Sequence, residues 1–168
     1  AMSQLNADAM DIMVYNSNMQ ILELVANAGF LAHTMRRRDR IGEGLAGQIA
    51  LSQKMLQVQN LTEAPEFSTI GWLADEKFTS YIGFPLRGKG QIKGVFEAFF
   101  RTPYSPNADW LDFMQTLAGP AAIAIDNSQL FENLQRSNQE LSLAYDTTLE
   151  GWGKALELRD KETQGHTD

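Results

Sequence analysis

The 168-residue sequence predicts an α+β fold: an antiparallel sheet flanked by helices, with a long helix at its C-terminal end. Three observations predict it. Two pairs of strand-like segments are each joined by a short turn, so neighbouring strands run antiparallel. A glycine-rich helical segment and a long polar connection separate those pairs. From Asn107 onward the apolar period changes from two to three or four and stays so for the rest of the chain.

The first pair is Ala9 to Tyr15, with Met10, Ile12 and Val14 on one face, and residues 20 to 27, with Leu22, Leu24 and Ala26 on one face. Asn16-Ser17-Asn18 supplies the turn. Gly29 to Arg40 has no period and holds Arg36, Arg37, Arg38 and Arg40, so it reads as a connecting loop with a mostly solvated charge run. The alternative for those arginines is an anionic ligand, since a guanidinium forks onto carboxylate or phosphate.

Leu45 to Gln53 carries Leu45, Ile49 and Ala50 at helical spacing behind two glycines, and Met55 to Val58 suits a short strand. Residues 60 to 78 mix turn formers with Trp72 and Phe78, as a long loop or short helix with its aromatics turned inward. Residues 80 to 87 and 91 to 101 form the second pair around Gly88-Lys89-Gly90. In the latter strand Ile92, Phe96, Ala98 and Phe100 share one face and Lys93, Val95, Glu97 and Phe99 the other, so it is central and covered on both sides.

Asn107 is placed to cap the last helix, in which Leu111, Met114, Ala118, Ala121 and Ile125 step by three or four. Pro120 should bend it. Beyond it a heptad places Asn127, Leu134, Leu141, Thr148 and Ala155 at one seam position and Leu130, Ser137, Ala144, Gly151 and Leu158 at the other. Residues 127 to 158 would span about 48 Å, more than this core can cover. A parallel coiled coil between two copies, weakened by its polar seam residues, is the expectation; a helix folded back on its own sheet is the alternative.

Composition narrows the chemistry. A net charge of −7 repels nucleic acid and anionic membrane, and no apolar stretch is long enough to span a bilayer, so a cytoplasmic protein is expected. There is no cysteine, hence no disulfide, thiolate metal site or thiol nucleophile. Gly42 to Gly47 spells the letters GxGxxG, but it follows a basic loop rather than a strand, so its glycines are read as a tight start to a helix. His33 stands alone in the globular part, and a metal site needs several convergent ligands. Glu162 and His166 are four apart and would share a helix face. No complete constellation of nucleophile, base and metal ligands is present, so catalysis is not expected of this chain. Ala1-Met2 set directly before a strand pattern suggests a fragment of a longer protein.

The block Gly42-Glu43-Gly44-Leu45-Ala46-Gly47-Gln48, the strand Met55 to Val58 with Asn60-Leu61, Tyr81-Ile82-Gly83-Phe84-Pro85-Leu86, Gly94-Val95-Phe96 and Leu117 to Asn127 together resemble a GAF domain over residues 8 to 133. That resemblance implies a small-molecule sensor or a dimerisation scaffold, with a pocket expected at Trp72, Phe78, Phe84 and Phe96. Lack of cysteine speaks against covalent bilin attachment and thiol-dependent sulfoxide reduction. Asp75-Glu76 lacks the Asn-Lys partner of the cyclic-nucleotide signature.

Ala144 to Trp152, Ala155 to Thr163 and Gly165-His166-Thr167 resemble the opening of an HD-GYP domain, a family of metal-dependent phosphodiesterases acting on cyclic di-GMP. The resemblance implies that Glu162 and His166 match the first metal-liganding positions. Iron or manganese would then be held by an intact domain, with no cofactor in this fragment. The expected organisation is a GAF domain at 8–126, a coiled-coil linker at 127–150 and the start of HD-GYP at 151–168. The expected partners are a second copy of the chain through the C-terminal helix and an unidentified small ligand.

Overall fold

A computed structural model describes residues 6–31, 37–64, 67 and 70–164, with side chains given as far as 156 except at 74. The chain divides into two compact units, 1–126 and 127–168. The first unit contains a curled six-stranded antiparallel sheet. Its strands are β1 (Ala9–Asn16), β2 (Ile21–Ala28), β3 (Arg38–Arg40), β4 (Leu56–Val58), β5 (Ser80–Gly88) and β6 (Gln91–Phe100), in the spatial order β3-β2-β1-β6-β5-β4. Among the described residues the helices are α1 (Gly44–Ser52), α2 (Gly71–Asp75) and α3 (Ala108–Gln164), with a 3-10 turn at Leu61–Glu63.

Turn chemistry fixes both hairpins. Asn16 Oδ1 accepts the backbone N–H groups of Asn18 and Met19, closing the β1–β2 turn. Between β5 and β6, Lys89 (φ 51°) and Gly90 (φ 77°) both have positive φ, as a two-residue hairpin turn of matching twist requires. Opposite Leu86 and Arg87 the register slips past Lys93, so Ile92 joins the face of Val95 and Phe99 rather than that of Phe96. The alternation read from sequence therefore holds for 95–100 and fails at this bulge. β6 lies between β1 and β5, as expected of a strand with two apolar faces.

Two cores occupy opposite faces of the sheet. Met13, Leu22, Leu45, Ile49, Phe78, Tyr81 and Phe99 are buried on the side covered by α1 and α2. Ile82, Phe84, Ala98, Phe100 and Met114 are buried on the other, with Trp110 and Leu111 of α3 packed against them. Asn107 Oδ1 accepts the Trp110 N–H at 2.9 Å, so it caps α3 as expected. α3 runs through Pro120. Gly119 precedes it and has no Cβ to meet the proline ring, which removes the usual obstacle to helical backbone before proline. Lys93 and Lys89 reach Asp126 at 2.5 and 3.4 Å, tying the β5–β6 turn to this part of α3.

In the second unit, Leu130, Phe131, Leu134, Leu141, Leu143, Tyr145, Leu149, Trp152 and Leu156 are all exposed in the single chain. Tyr145, Leu149, Trp152 and Leu156 follow a 4-3-4 spacing, one residue out of step with the heptad placed through Thr148 and Ala155.

Candidate functional site

The segment after β2 corrects the sequence reading. Arg38–Arg40 form an edge strand on β2 rather than a loop, and the alternation of that strand turns Arg37 and Asp39 inward while Arg38 and Arg40 face out. Arg37 is buried, not solvated. Arg36 and His33 lie outside the described residues.

Arg37 crosses β2 to reach the centre of the sheet. Its Nη1 donates to Asp11 Oδ2 at 3.0 Å, its Nη2 to Glu97 Oε2, and its Nε to Asp39 Oδ2 at 3.2 Å. Nη2 also meets the Met13 sulfur at 2.8 Å. The guanidinium carbon lies 4.8 Å from the centre of the Trp72 ring, a cation–π contact. On the far side Tyr81 Oη donates to Glu97 Oε1 at 2.7 Å. Asp11 and Glu97 are direct cross-strand partners on β1 and β6, two carboxylates side by side in the core.

Burial and that like-charged neighbour set the protonation states. Asp11 is held well above the ordinary carboxylate range, first by desolvation and then by Glu97, against the pull of Arg37. Burial opposes the Arg37 charge, but Glu97 and Asp11 outweigh it and hold the guanidinium more firmly protonated than usual. Asp39 is raised by burial against the opposing pull of Arg37, and Tyr81 is raised by burial and then by Glu97. As a bare carboxylate oxygen, Asp11 Oδ1 is buried without a donor among the described residues, and Glu97 is the neighbour with which a protonated Asp11 shares a hydrogen bond. A proton on Asp11 makes that carboxyl a donor beside Glu97 and lowers the cost of three carboxylates around one guanidinium.

A cavity of ≈ 120 Å³ adjoins the cluster, lined by Arg37, Arg38, Asp39, Glu43, Gly44, Leu45, Ile70 and Trp72. The start of α1 forms one wall. Gly42 and Gly44 have positive φ, and a Cβ on Gly47 would lie 2.2 Å from the Arg40 carbonyl oxygen. The GxGxxG letters thus serve a tight turn between an edge strand and a helix, in a sheet with no parallel pairing among its described strands.

The four expected pocket aromatics do not meet. Trp72 and Phe78 lie in the core beside the cavity, with Trp72 on its wall, whereas Phe84 and Phe96 lie on the opposite face beside α3. Successive strand residues point to opposite faces, and the position of α3 decides which face is closed off by it. Asp11, Asp39, Tyr81 and Glu97 were missed. For Asp11 and Glu97 the signal is a charged residue in the middle of an apolar strand, Met10-Asp11-Ile12 and Phe96-Glu97-Ala98, which demands a buried partner. His166 and the side chain of Glu162 lie outside the described residues, so no metal geometry is drawn from them. Among the described residues no helix is long and apolar enough to cross a membrane.

A curled antiparallel sheet with a polar cavity on one face and the first turns of α3 on the other defines a small α+β domain. The family model of the GAF domain matches residues 1–126, and the chain belongs to that family, whose members are generally small-molecule-sensing, regulatory domains rather than enzymes. The GAF domain of a phosphoenolpyruvate-protein phosphotransferase from Acinetobacter is similar in structure at TM-score 0.69 and 17% identity, over 79% of this chain and 78% of that one. A type II free methionine-R-sulfoxide reductase from Thermoplasma acidophilum gives TM-score 0.61 at 16% identity, over 72% and 80%. The NreA protein of Staphylococcus aureus, mutated in its nitrate binding site, gives 0.56 at 25% identity, over 64% and 83%. No curated protein matches this chain significantly.

Proposed function

We propose that the chain is a regulatory GAF domain that binds a small molecule beside Arg37 and passes the signal through a dimeric helix to a downstream HD-GYP phosphodiesterase acting on cyclic di-GMP. The observation that carries the reading is the position of Glu97. Its carboxylate takes part in the buried cluster beside the cavity, while its strand neighbours Phe96 and Ala98 pack on the face that carries Trp110 and Met114 of α3. A ligand that prefers one arrangement of the cluster thereby prefers one position of β6 and of the helix packed on it, which is a population shift.

The row of exposed apolar side chains from Leu130 to Leu156 supports a helix completed by a second copy. The spacing of Glu162 and His166 supports the HD-GYP destination, where those residues would join further ligands to hold iron or manganese. Nitrate, named for NreA, fits poorly, because the buried Arg37 guanidinium is already engaged by Asp11, Asp39 and Glu97. Sulfoxide reduction of the thiol-dependent kind has no cysteine to use.

A metabolite panel screened by native mass spectrometry and calorimetry, with sedimentation of the free and bound chain, tests the reading. A binder that alters the dimer supports it. A complete screen without a binder supports a dimerisation scaffold instead, a reading favoured by the close aromatic packing of Phe30, Trp72, Phe78 and Phe99.

A further inference from the structure

We propose that Asp11, Glu97 and Asp39 beneath Trp72 form a binding site for a small organic cation bearing a guanidinium group, and that Arg37 fills this site here as a tethered occupant. This rests on the sensor reading above and gives its ligand a chemical class.

The geometry around Arg37 is what recognition of a free guanidinium requires. Two carboxylates take the fork, a third takes Nε at 3.2 Å, and an indole ring stacks at 4.8 Å. A compact ammonium could satisfy the charge but not the planar fork or the stacking. The site also holds more acid than Arg37 uses. Three carboxylates, Asp11, Asp39 and Glu97, surround one cation.

Access and exchange follow from the same elements. The cavity is lined by Arg37, Asp39 and Trp72 themselves, so a ligand entering it arrives beside the guanidinium it must replace. Arg37 is anchored by its backbone, whose carbonyl accepts the Leu24 N–H at 3.0 Å. Its side chain can therefore leave by rotation about its own torsions with the strand edge intact. While Arg37 is in place, the apparent affinity for a free ligand is reduced by the fraction of molecules in which the site is open.

The test is titration of the full 168-residue chain and its Arg37→Ala variant with methylguanidinium chloride, read by calorimetry and thermal unfolding. The expected result is saturable binding by Arg37→Ala, at least about tenfold tighter than by wild type. Methylammonium should bind more weakly, and adding Glu97→Gln to the variant should abolish binding. A folded Arg37→Ala chain that shows no saturable binding overturns the proposal. Should that variant fold only when methylguanidinium is present, the proposal is supported. If it folds under neither condition, the wild-type titration decides: saturable binding supports the site and none overturns it. Binding by Arg37→Ala without any change in the dimer would leave the cation site standing while removing its coupling to the helix. A non-cationic ligand that changes the dimer of the wild type, with no methylguanidinium binding, would do the reverse.

Discussion

Arg37→Met removes the cation of the buried cluster while keeping an apolar stem against Trp72. Asp11 and Glu97 remain at 3% and 0% exposure. Removing one partner of a buried ion pair typically costs about 3–5 kcal/mol, because a charge is left without compensation. The variant is therefore expected to lose about 3–5 kcal/mol at pH 7. Urea unfolding of variant and wild type at pH 7 measures the difference. A loss below about 1 kcal/mol at pH 7, the range of an exposed ion pair, would refute the buried-cluster reasoning.

Asp11→Asn keeps a neutral, hydrogen-bonding side chain beside Glu97. Because the Asp11 pKa is raised, its contribution to wild-type stability is present below the unfolded carboxylate value and is lost as pH rises through the folded one. The variant should thus gain on wild type between pH 4 and pH 7 in parallel unfolding titrations, and a constant difference would contradict a raised pKa. Gly47→Ala should cost about 1–3 kcal/mol, since its Cβ meets the backbone oxygen of Arg40 at 2.2 Å rather than a side chain that can turn away; a neutral result in chemical unfolding would place that contact wrongly. Cysteines at Leu134, Leu141 and Leu149 should form disulfide-linked dimers faster than one at Gln139, which lies outside the apolar seam, in oxidative cross-linking followed by denaturing gels. A faster rate at Thr148 than at Leu149 would restore the unbroken heptad.

Periodicity alone located most elements. The strands around Asn16-Ser17-Asn18 and Gly88-Lys89-Gly90, the capping Asn107 and the inward Leu111, Met114 and Ala118 all stand where local chemistry puts them. These features depend on neighbours a few residues away, and turn, cap and period are local properties. β3 escaped notice because three residues rich in arginine have no period of their own, and they become a strand only by pairing with β2. The site was less legible. The resemblance in the sequence groups Trp72, Phe78, Phe84 and Phe96 into one expected pocket, whereas the sheet separates the first two from the last two and leaves Trp72 on the cavity wall.

What the sequence by itself determined is an antiparallel α+β domain with a helix longer than its own core can cover, because strand alternation, turn residues and helical spacing act at short range. What only the tertiary structure decided is that Asp11, Arg37, Asp39 and Glu97 form one ion cluster. These residues are distant in the chain and come together through the order of the strands, and only their joint burial turns ordinary surface-type charges into a compensated polar core.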